Sequence, residues 1–151
     1  MQSLPPLILP FAGIPSIASH PWLYPMLESA HILGVALLVG NLVLLELRVW
    51  GRGAELPVMA LARLALGISA SGFCLIGATG LLMFAAAPQE LLGNRFFLIK
   101  MGLVSAAGLN ALAFHLRHGL HKLDRIARAQ AVLSLGLWLA VIICGRWIAY
   151  A

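Results

Sequence analysis

The stretch Glu28–Arg48, ESAHILGVALLVGNLVLLELR, constrains this chain more than any other. About 20 apolar residues at 1.5 Å per residue cross a bilayer core, and this stretch is long enough. Yet it holds a histidine and an asparagine in its apolar part. On a helix, positions alternating three and four residues apart share one face. Here that face reads His31, Gly34, Leu38, Asn41, Leu45, Arg48, and Tyr24 and Glu28 prolong it toward the start. The back of the helix (Leu33, Leu37 and Leu44, flanked by Val35 and Leu42) suits lipid. A helix with a small, polar stripe and a greasy back belongs in a bundle, stripe inward.

The rest of the chain has the same character. Hydrophobic residues make up 62% and charged residues 10%, at a mean hydropathy of +0.97. Such a composition excludes a soluble domain. The expectation is an all-α, integral membrane four-helix bundle forming a single membrane domain over 1–151. Its spans are placed at about 22–50, 58–87, 95–118 and 126–150, separated by GRGAELP, PQELLGN and HGLHKLDR. Residues 1–21 hold five of the eight prolines, which rules out a continuous helix there. They also lack the basic start of a signal peptide, and are expected to lie at the interface.

The net charge of +5 is a topology signal rather than a nucleic-acid footprint, because the basic residues flank apolar runs. One side holds Arg48, Arg52, Arg63, Arg117, Lys122, Arg125 and Arg128; the other holds Arg95, Lys100 and Arg146. The richer side is expected to be cytoplasmic, with both termini outside. Cys74 and Cys144 lie in apolar runs without CxxC spacing and read as small packing residues. In span two the stripe Ala70, Cys74, Ala78, with Gly67, Gly72, Gly77 and Gly80, is expected to allow close helix approach. Gly136, Ala140 and Cys144 repeat it in span four.

Spans one and three align when His31 is laid over Lys100. Asn41 then meets Asn110, Arg48 meets Arg117, Leu47 meets Leu116 and Val35 meets Val104. The inward face of span three becomes Lys100, Leu103, Ala107, Asn110, Phe114, Arg117, as a repeated helical hairpin would give. The two asparagines are expected to hydrogen-bond each other across spans one and three.

Depth is what selects candidate site residues. His31 lies roughly 13 Å inside the outer end of span one at 1.5 Å per residue. Lys100, Glu28, Arg146, Thr79, Tyr24 and Tyr150 share that outer half. A charge in lipid costs about 3 kcal/mol by insertion scales, so these groups should face inward or snorkel. An imidazole among cations suits an apolar ligand with carboxylates. Haem b fits, with His31 as the axial and metal ligand, Lys100 and Arg146 on propionates, Glu28 orienting the ligating groups and Tyr24 also on the cofactor. A packing role for His31 and interfacial anchoring for Arg146 are the plain alternatives. A quinone is the natural lipid-side electron partner. His115 lies near the cytoplasmic end, too far along the membrane normal to share one iron with His31, and reads as a helix-end polar contact.

The runs WLYPMLESAHILGVALLVGNLVLLELRVWG, NRFFLIKMGLVSAAGLNALAFH and GRWIAY resemble an uncharacterised family of small bacterial four-span proteins. More distantly, HILGVA with a lysine opening the third span resembles the membrane protoporphyrinogen oxidases. That resemblance implies b-type haem and essential roles at His31 and Lys100. A weaker likeness is to the copper-resistance membrane domains, through the lysine-headed third span and Asn110. Copper would draw on Met26, Met83 and Met101 beside His31. These resemblances imply a multi-pass protein of the bacterial cytoplasmic (inner) membrane. Function is expected to be haem or porphyrin binding for electron transfer or porphyrin oxidation. The alternatives are a non-enzymatic accessory subunit of a larger membrane complex, a homo-oligomer among the forms allowed, and copper handling. Whether the protein is an enzyme stays open at this point.

Overall fold

Proline, glycine and two side-chain caps punctuate the chain. The computed structural model describes residues 20–150. The interfacial element expected over 1–21 lies, but for its last two residues, outside them. Helix α1 is Leu23–Val49, and a loop with Gly51 and Gly53 at positive φ leads to Pro57, which opens α2, Val58–Ala86. Pro88 starts the short α3, Pro88–Gly93. Asn94 then caps α4, Arg95–Leu116, its Oδ1 accepting from the Phe96 amide at 2.9 Å. A single turn, α5 (Gly119–Lys122), precedes α6, Arg125–Trp147, which Asp124 caps by accepting from the Ala127 amide at 2.8 Å. A 3-10 turn, Ile148–Tyr150, ends the described chain. Four of these helices are long and apolar enough to cross a membrane, and they pack as a bundle.

The helices pair as two hairpins. α1 packs along α2, α4 packs along α6, and α1 meets α6 between them. On α1 the buried residues are Gly34, Leu38, Leu45 and Val49, with His31, Asn41 and Arg48 half-buried between them. This is the stripe the spacing predicts. The lipid face holds for Leu33 and Leu44. Leu37 departs from it, because the α1–α2 contact is so close that its Cβ lies against Gly72.

On α2 the packed face is Ala62, Ala65, Ser69, Gly72, Thr79 and Ala86, and this corrects the expected stripe. Ala70, Cys74 and Ala78, with Gly67 and Gly77, are exposed instead. The reason is rotational: steps of four residues drift by about 40° each, whereas steps alternating three and four stay on one face. The Ser69 hydroxyl, 3.4 Å from the Leu38 carbonyl, donates across the interface. In α6 the same correction applies more mildly. Ala127, Ala131 and Val141 are buried, Ala140 and Cys144 are half-buried, and Gly136 is exposed.

One shift of 69 residues relates the two hairpins. It carries His31 to Lys100 and Asn41 to Asn110, and it carries buried Leu38 to buried Ala107. On the partner helices it carries Ala62 to Ala131 and Gly72 to Val141, all four buried. Arg48 and Arg117, also so related, both tie down the loop that follows their helix. Arg48 donates to the Leu56 and Ala54 carbonyls, and Arg117 donates to Asp124 and Gln130. The asparagines do not bond each other. α1 and α4 are not a packed pair, so each amide takes the nearest carbonyl. Asn41 donates to Leu37 in its own helix and Asn110 to Gln130 in α6. The end of the bundle beside the α1–α2 loop and α5 is closed by Val49, Ala127 and Ala131, with Phe114, Leu120 and Leu123 packed on them.

Candidate functional site

His31 is half-buried on α1 and turned toward α2. Its Nδ1 lies 2.9 Å from the Thr79 hydroxyl oxygen. That hydroxyl already donates its one proton to backbone: the Leu75 carbonyl is 2.7 Å away and the Ile76 carbonyl 3.2 Å away. With that single proton on a backbone carbonyl, Thr79 is the acceptor and His31 Nδ1 the donor in this contact. In that arrangement the imidazole is the Nδ1–H tautomer, with the Nε2 lone pair free for another partner. Beside the ring, a methyl group at Gly80 would lie 3.5 Å from Cε1. The missing side chain leaves the ring edge open.

Lys100 is half-buried on α4 and reaches α6, where its Nζ lies 3.4 Å from the place a methyl group would take on Gly145. The ammonium thus lies against α6 at Gly145. Cys144 is the neighbouring group there. The Lys100 ammonium is within coulombic range of the His31 imidazole. Among the described residues no carboxylate pairs with Lys100; the one ion pair there is Arg117–Asp124, 3.1 Å, at the other end of the bundle.

Most of the remaining expected residues stand near the end of the bundle that holds α3. Tyr24 is half-buried near the carboxylates of Glu28 and Glu90. Glu28 is exposed, and the partner at the His31 ring is Thr79. Arg146 is exposed, donates to the Tyr150 hydroxyl at 2.6 Å and lies over that ring at 4.9 Å. It is one residue beyond Gly145 but rotated about 100° from it. Met26 and Met101 are exposed and Met83 is half-buried. His115, exposed near the inner end, donates to the Ala111 carbonyl of its own helix at 2.8 Å. Cys74 is exposed rather than a packing residue, and Cys144 is half-buried.

Two groups were not singled out by sequence as partners. Thr79 was placed only by depth, although it stands on the same three-four line as Ser69 and Gly72. Glu46 is half-buried on α1. Nothing in the sequence alone marks Glu46 as inward-facing. Asn94 is a further clamp, its side-chain amide donating to the Ile148 carbonyl at 3.1 Å and fastening the start of α4 to the end of α6.

With four apolar helices long enough to span and polar groups gathered on inward faces, the class is decided. The chain is a four-span integral membrane protein. Comparison with protein-family models, curated proteins and solved structures finds no match. The four-span protein thus carries its functional reading in the His31–Lys100 site rather than in kinship.

Proposed function

We propose that the protein binds b-type haem or a related porphyrin in the outer half of the bundle, for membrane electron transfer or porphyrin oxidation. The observation that supports this reading is the Thr79-fixed tautomer of His31, which keeps Nε2 available as an axial ligand. Lys100, without an acidic partner among the described residues, would take a carboxylate of the ligand. Arg146 and Tyr24, at the mouth, would bound it. Haem would supply a one-electron couple at that level of the membrane, with a quinone as the electron partner in the lipid. The test is the absorption spectrum of purified protein. A Soret band that is lost in His31→Ala is expected; a colourless protein that takes up no added haemin overturns the reading.

A second reading, an accessory subunit of a larger membrane complex, is favoured by one observation. The small residues Gly67, Ala70, Cys74 and Ala78 of α2 face outward, where another transmembrane helix could approach closely. Co-purification of a larger complex with a colourless protein would favour it.

A further inference from the structure

The shift of 69 residues that carries α1 onto α4 and α2 onto α6 would carry the α1–α6 contact onto an α4–α2 contact. That second interface is missing as a packed pair, so the bundle is closed on one flank and open on the other. A stack of two rings bridges the open flank: Phe84 of α2 and Phe97 of α4, with centroids 5.9 Å apart and planes 14° apart. At 1.5 Å per residue Phe84 stands about 6 Å outward of Gly80, and Phe97 about 4.5 Å outward of Lys100. The stack therefore spans the opening just above the level of the candidate site.

Below it, α2 presents the line Phe73, Gly77, Gly80, Phe84, spaced four, three and four. Phe73 and Gly77 are exposed, and a methyl group on Gly77 would meet nothing within 4 Å. Gly80 backs onto the edge of the His31 ring. Between the two phenylalanines lies a gap two glycines wide, with an imidazole behind it and, within coulombic range, the Lys100 ammonium, which has no carboxylate partner among the described residues.

We propose that this gap between α2 and α4 is a lateral portal through which a flat apolar molecule bearing carboxylates passes from the bilayer to His31 and Lys100. The inference rests on the porphyrin reading above and adds the route of entry to it. The apolar threshold matches a lipid-dissolved body, and the ammonium matches its anionic edge. A ligand taking this path enters within the membrane and bypasses the outer mouth, where Glu28 and Glu90 would repel carboxylates.

The test uses the full chain in phosphatidylcholine vesicles, mixed with haemin, following the rate and end-point of the Soret shift. Gly77→Leu has room for its side chain and touches neither His31 nor Lys100. It should load about tenfold more slowly, as expected when entry requires a rearrangement, and reach the same end-point. Ala78→Leu, the next residue but exposed about 100° further round the helix, should load at the wild-type rate. Phe84→Ala, which removes half of the ring stack, should load faster. If Gly77→Leu loads as fast as wild type, the portal is overturned and the binding site stands. If wild type itself never acquires the band, both are overturned.

Discussion

Gly34 of α1 and Gly72 of α2 oppose each other so closely that neither could carry a side chain. A methyl group on Gly34 would sit 2.9 Å from the Gly72 carbonyl oxygen, and one on Gly72 would sit 2.8 Å from the Gly34 carbonyl oxygen. The obstacle on each side is backbone, which cannot swing away. In lipid there is no solvent to drive apolar faces together, so packing of this kind is what holds the hairpin.

Gly34→Val should therefore loosen the first hairpin by about 1–3 kcal/mol, the usual cost of overpacking. Gly40→Val, in a place with nothing within 4 Å, should leave it nearly unchanged. Unfolding in mixed detergent micelles by dodecyl sulfate distinguishes the two. Equal midpoints would refute the role given to the glycine contact.

Thr79 is predicted to act on any ligand through the orientation of His31. Thr79→Val keeps the volume but removes the acceptor at Nδ1, and should weaken haemin affinity by roughly 10–100-fold, as loss of a supporting hydrogen bond commonly does. Thr79→Ser should restore most of it. A merely structural role would move protein stability without this split between valine and serine, so both affinity and the Soret position should be measured.

Lys100 is predicted to read the ligand's charge. Lys100→Met should lower haemin affinity by roughly tenfold or more, in keeping with a hydrogen bond to a charged group. The same change should leave the affinity for the porphyrin dimethyl ester almost unaltered. A loss of equal size for acid and ester would mean that Lys100 serves packing instead.

Acid should act first on the inner loop. The Ala127 amide, and after it the Arg117 guanidinium, hold the Asp124 carboxyl below the usual carboxylate range. Because the folded-state value is depressed, the stabilisation is complete above the ordinary aspartate range and is lost as pH falls through the folded value. Melting in detergent from about pH 5 down to about pH 2.5 should show this decline. Asp124→Asn, which can still cap α6 but carries no charge, should flatten it.

Much of this architecture is legible in the residues themselves. The four apolar helices follow from run length, and the inward faces of α1 and α4 follow from alternating spacing, because polar residues in an apolar run mark the side that avoids lipid. α2 was harder to read. It carries small residues on two sides, and composition cannot say which one meets α1; the Gly34–Gly72 approach and the His31–Thr79 bond decide it. The asparagines share a depth, and depth suggested a bond between them, but a hydrogen bond needs adjacent helices and α1 and α4 are not adjacent. For the site, His31 and Lys100 stand out as lone ionisable groups among apolar neighbours. Their partners Thr79 and Gly145 are ordinary residues in an apolar helix, identifiable only once the helices are laid side by side.

The doubled hairpin has a further consequence for how the two halves divide their work. The position held by an imidazole in one half is held by an ammonium in the other, so an exchange of the two, His31→Lys with Lys100→His, would seem to give a mirror image of the same site. It does not. The residue 69 positions on from Thr79 is Ile148, in the 3-10 turn that follows α6, which has no side-chain acceptor to anchor a ring. Across the 69-residue shift the halves thus differ: one sets an imidazole against a hydroxyl acceptor, and the other carries an ammonium with no such acceptor at the matching position.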